Sequence, residues 1–136
     1  MAISSILLRT SVCLLLVGMM LGITMGIRQD FALAPAHAHL NLIGFMMMFL
    51  AGLYYRLVPG AADSRLAKIQ AGLHLVGAVV FPIGIAMVLT WGPRYEAAAI
   101  GGSLIVVAAT VLFAVVVFRT TAQARQLLAV PQPARA

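Results

Sequence analysis

Two histidines one residue apart, His37 and His39, stand where a polar loop passes into the apolar run Leu40 to Val58. Imidazoles are expensive inside a membrane segment and usually bind or transfer something there. Residues two apart on an α-helix are rotated by about 200° and point to nearly opposite sides. One metal ion does not easily take both, because chelation from a single helix uses a spacing of three or four. The H-x-H pattern fits a helix that serves two partners, one on each flank.

The elements that position these residues follow from composition. Of 136 residues, 63% are hydrophobic and 9% charged, which lies outside the soluble norm and within the membrane class. Four apolar stretches approach the roughly 20 residues needed to cross a bilayer: about 11–27, 37–58, 69–91 and 97–118. The short connections between them force neighbouring spans to run antiparallel. The expected fold is an all-α, four-helix antiparallel membrane bundle over 1–119, followed by a tail over 120–136. That tail begins as a helical extension from Thr120 to Leu128 and ends in a disordered, Pro-rich stretch.

The basic residues, which give a net charge of +6, are scattered singly and form no patch for nucleic acid. They read as topology instead. Arg9, Arg56, Arg65, Lys68, Arg119, Arg125 and Arg135 account for seven of the nine, against Arg28 and Arg94 in the first and third loops. Both termini are therefore expected on the cytoplasmic side of the cell (inner) membrane, with His37 and His39 near the outer face. Arg9, the apolar run after it and Ala32-Leu33-Ala34 also resemble a cleaved signal. The length of that run argues against cleavage, as do Gly18, Gly22 and Gly26, spaced for close helix packing. Cys13 is the lone cysteine, so neither an intramolecular disulfide nor an iron–sulfur cluster is available.

Along the second span, helical periodicity places His37, Asn41, Gly44, Met48, Gly52 and Tyr55 near one face, and His39, Ile43, Met46, Leu50 and Leu53 near the other. A flat macrocycle against the first face would find an axial imidazole at His37, polar Asn41, a gap at Gly44 and apolar contact from Met48. The second face could take another macrocycle through His39, or pack on a neighbour. For His74 the competing readings are a metal ligand and a hydrogen bond to a backbone carbonyl of the next helix. By helical rise, His37 lies roughly 28 Å from Arg56 and His74 about 9 Å from Lys68 along their helices, so the two do not share an iron within one chain. Met46-Met47-Met48, with Met19, Met20 and Met25, invites a copper(I) reading, although methionine also fills gaps in apolar packing. Asp30, Asp63 and Glu96 all fall in loops, leaving no buried acid for proton chemistry.

His37-Ala38-His39-Leu40-Asn41-Leu42-Ile43-Gly44-Phe45, followed by Ala51 to Pro59, resembles a late helix of subunit I of the heme-copper oxidase superfamily, in its cbb-type oxidase and nitric oxide reductase branch. The likeness covers about Pro35 to Val80 and includes His74. It implies that His37 faces a high-spin heme and His39 a low-spin heme. The departures are large: the family's twelve helices are reduced to four, and no copper-ligand cluster is present. The family's helices form three four-helix arcs, and this chain is one arc long, so a homodimer or homotrimer could rebuild a heme pocket between copies. The resulting expectation is a b-type heme protein for electron transfer or diatomic gas binding, with its own copies, the bilayer and a redox protein as partners. The alternatives are a heme-free accessory or assembly subunit and a copper-handling protein using His37, His39 and nearby methionines.

Overall fold

The computed structural model describes residues 2–129, and their side chains as far as residue 122. Four helices are long and apolar enough to cross a membrane: α1 (Ile3–Arg28), α2 (Ala34–Leu57), α3 (Arg65–Trp91) and α4 (Glu96–Ala129). A single 3₁₀ turn, Pro93–Tyr95, leads into α4, and no strand occurs among the described residues. The chain is a multi-pass, four-helix antiparallel membrane bundle, as the hydropathy pattern predicts. The expected helical extension over Thr120 to Leu128 lies within α4. The Pro-rich end, expected to be disordered, falls outside the described residues.

Helix ends follow local chemistry. α1 stops at Gln29, whose left-handed φ of 52° lets its N–H return to the Met25 carbonyl. Asp30 Oδ1 then accepts the Ala32 N–H at 3.0 Å, tightening the loop. Pro35 sits in the first turn of α2, where no backbone donor is needed. α2 ends as Val58 turns extended before Pro59. Ser64 caps α3 by accepting the Ala67 N–H at 3.1 Å. α1 starts at Ile3, earlier than the apolar run from Ser11 suggests, because Ser4 and Leu7 are buried while Arg9 stays exposed.

The helices pack in chain order as an open arc. α3 and α4 form the longest seam, and α1 lies along the whole length of α2. α2 meets α3 chiefly over its histidine-bearing half, and α1 and α4 form no seam with each other. The core gathers at the opposite end of the bundle, around Leu7, Met48, Ala51, Tyr55, Ala67 and Val116. The Tyr54 hydroxyl meets Thr120 Oγ1 at 2.6 Å, and Phe113 packs edge-on against both tyrosines. These contacts tie the end of α2 to α4.

α2 is not α-helical throughout. Leu40–Met47 form a π-helical segment between two α-helical pieces, Ala34–His39 and Met48–Leu57. In a π turn, residues four apart come closer to alignment than in an α turn. Leu42, Met46 and Leu50 accordingly share one exposed stripe. Ile43, grouped with His39 by periodicity, is buried in the core.

Candidate functional site

The two histidines of the H-x-H pattern point to different neighbours. His37 turns toward α1, where a Cβ added at Gly22 would lie 2.9 Å from its Cε1. Its ring is held by Asn41, whose Nδ2 stands 3.1 Å from Nε2. Asn41 in turn fills the space left by Gly18, and its Oδ1 is buried without a hydrogen-bond partner. Of the spaced glycines of α1, Gly18 and Gly22 therefore pack against α2 and receive these polar side chains, whereas Gly26 has open space beside it.

That packing changes the reading of the face from His37 to Tyr55. α1 covers it: Leu14 lies over Gly44, Leu7 and Leu8 lie over Gly52, and Met48 is fully buried. Within one chain α1 therefore lies over this face, with Leu14 beside Gly44 and the backbone at Gly18 and Gly22 beside Asn41 and His37. Sequence periodicity identified the face and could not show which neighbour lies on it.

His39 turns the other way, toward α3. Its Nδ1 lies 2.8 Å from the Pro35 carbonyl, and because a carbonyl only accepts, that nitrogen carries the proton. The Nε2 lone pair then points away from the helix backbone with no hydrogen-bond partner among the described residues. Phe81 of α3 holds the ring edge-on at 4.9 Å between centroids. A histidine fixed by an Nδ1–H···O=C bond, with Nε2 bare, is oriented as metal-ligating histidines are. Leu42, Met46 and Leu50 form an exposed apolar stripe along the same helix.

His74 is committed inside the bundle. Its Nε2–H donates to the Ile43 carbonyl of α2 at 3.2 Å, and its Nδ1 accepts from Gln70 Nε2 at 3.3 Å. Gln70 Oε1 accepts the Tyr55 hydroxyl at 2.9 Å. All three side chains are buried, and each polar atom of the chain has a partner, as burial requires. Both ring nitrogens of His74 therefore have hydrogen-bond partners within the bundle. Gln70, Tyr55 and Phe81 were not singled out as site residues. Gln70 carried a signal, being a polar residue four before His74 in an apolar run, whereas nothing in the sequence pairs Phe81 with His39.

Two cavities flank this half of α2. One, about 310 Å³ and almost wholly apolar, lies between α1 and α3 against Ala36 and Leu40. The other, about 140 Å³, is lined by Met47, Leu50, Gln70, His74, Thr110 and Phe113. No group of three or more His, Cys, Asp or Glu side chains converges among the described residues. Met46, Met47 and Met48 run from exposed through half-buried to fully buried and do not converge. Comparison with protein-family models, curated proteins and solved structures finds no match.

Proposed function

We propose that the chain binds a b-type heme through His39, at an interface between copies of itself in the cell membrane, with both termini cytoplasmic. The observation that carries this reading is the His39 ring: its Nδ1 is tied to Pro35, its orientation is set by Phe81, and its Nε2 is bare. The heme-copper oxidase resemblance supports the cofactor class, and the opposed directions of His37 and His39 agree with it. His39 would supply the axial nitrogen, while Leu42 and Met46 would supply apolar contact.

A second copy related by symmetry would present the same histidine, so His39 from each of two chains would hold the heme at their interface. Bound heme supplies one-electron transfer or, where an axial position is open, a site for a diatomic gas. The chain's own contribution is to orient the imidazole and to surround the ring with apolar side chains. The scarcity of buried acids and of converging ligands favours these roles over oxygen reduction.

The test is a hemin titration of the purified apo-protein in mild detergent, followed by visible absorption and by the oligomer mass. The expected result is saturable binding with a sharp reduced α-band, carried by a species of two or more chains. Folded protein that gives a flat reduced-minus-oxidised spectrum would contradict the proposal. A heme-free accessory role would then follow, and copper analysis of the same sample would decide the copper-handling reading.

A further inference from the structure

We infer that His74 is a positioning residue: through the Ile43 carbonyl it holds the π turn of α2, and that turn sets the rotational phase at which His37 and His39 leave the helix.

A π turn holds more residues per turn than an α turn and is less stable on its own, so it persists where something external compensates. The compensation here is specific. Ile43 lies in the middle of Leu40–Met47, and its carbonyl receives the His74 Nε2–H at 3.2 Å across the α2–α3 interface. Insertion of a side-chain donor into the helix ladder is a recognised cause of such local irregularity. Gly44, next in sequence, has no Cβ to resist the widening, and Leu14 of α1 occupies the space beside it.

The donor is itself fixed. Gln70 Nε2 occupies Nδ1 of His74, which leaves the proton on Nε2 facing Ile43, and Tyr55 orients the Gln70 amide. Tyr55 belongs to α2 beyond the π segment. The chain Tyr55–Gln70–His74–Ile43 therefore starts on one side of the irregularity, crosses to α3 and returns to its centre. It ties the α-helical piece after the irregularity to the centre of the π segment, and so fixes the twist from which Ala34–His39 continues.

Reversion of the π turn to α would rotate Ala34–His39 by about one residue step, roughly 100°, relative to Met48–Leu57. The present phase gives His37 the glycine face of α1 and gives His39 the Phe81 side of α3. A rotation of that size would remove both placements. The consequence for ligation rests on the proposed heme site, whereas the phase-setting role does not need it.

The experiment reads phase directly, by thiol alkylation in a Cys13→Ser background. Single cysteines replace Ala36, which is buried beside the 310 Å³ cavity and has room for sulfur, or Ala38, which is exposed. Ala51 and Leu57, buried and exposed on the far side of the π turn, serve as controls. Position 38 should react faster than position 36 by about tenfold or more in the parent, as burial protects against modification. His74→Phe, which keeps an aromatic ring but loses the donor, should collapse the 38/36 ratio toward one and leave the 57/51 ratio intact. His74→Gln, which restores a donor, should recover it.

An unchanged 38/36 ratio in His74→Phe would overturn the inference. If His74→Phe loses protection at every position, Gln70→Leu decides, since it leaves the imidazole but removes the amide that fixes its tautomer. A parent-like ratio in Gln70→Leu would overturn the inference, and a fall confined to positions 36 and 38 would uphold it. Because alkylation is read without heme, a flat heme spectrum would remove the proposed function and leave this result standing.

Discussion

The α3–α4 seam and the histidine half of α2 lie side by side in one small bundle and are built on opposite principles. The seam is apolar and backbone-close: a Cβ at Gly84 would stand 2.5 Å from the Ala99 nitrogen, and one at Gly102 would stand 2.6 Å from the Phe81 Cα. Helices in lipid gain association energy from such close van der Waals contact, since apolar burial alone distinguishes little between helix and lipid. The histidine half instead carries a π turn, a buried three-residue polar chain, an orphaned Asn41 oxygen and a histidine nitrogen left bare. One region spends its residues on cohesion, and the other gives up some cohesion to hold three imidazoles in three different states.

Breaking the seam should have the largest effect. Gly84→Leu forces a side chain into backbone that has nowhere to move, and overpacking of this kind should destabilise the fold by about 3 kcal/mol. Reversible unfolding in mixed micelles would measure it. In the histidine half, Tyr55→Phe leaves the buried Gln70 oxygen without its donor and should lower stability by about 2 kcal/mol in the same assay. Ser64→Ala removes the α3 cap and should lower stability by about 1 kcal/mol, wherever the seam is otherwise intact.

Asn41→Leu should act in the opposite direction. It removes the unpartnered acceptor facing Gly18, so the midpoint should rise slightly, by the equivalent of about 1 kcal/mol or less. A marked fall on Asn41→Leu would show that the Asn41–His37 contact contributes more to cohesion than the orphaned oxygen takes away. That outcome would blur the division between the two regions.

Much of this arrangement was legible in the sequence. The four spans and their order follow from apolar length, and the split of His37 from His39 follows from a two-residue step on a helix. The face from His37 to Tyr55 was also legible as a face, but its neighbour was not, because glycine spacing on α1 says that something packs closely without saying what. The π turn was not legible, since Leu40 to Met47 has unremarkable helical composition and the cause lies 31 residues away at His74. For His74 itself the sequence left a ligand role and a backbone hydrogen bond open, and it could not show that the Ile43 carbonyl lies within reach of its ring.

The most direct measurement compares His39→Ala with His37→Ala in the reduced-minus-oxidised visible spectrum of protein produced with ample heme. The difference in ring environment predicts that His39→Ala abolishes the reduced α-band in a folded protein. His37→Ala should retain the band, with some loss of stability where α1 meets α2. A band that survives His39→Ala and disappears with His37→Ala would contradict the assignment, and would require α1 to move off the face it covers.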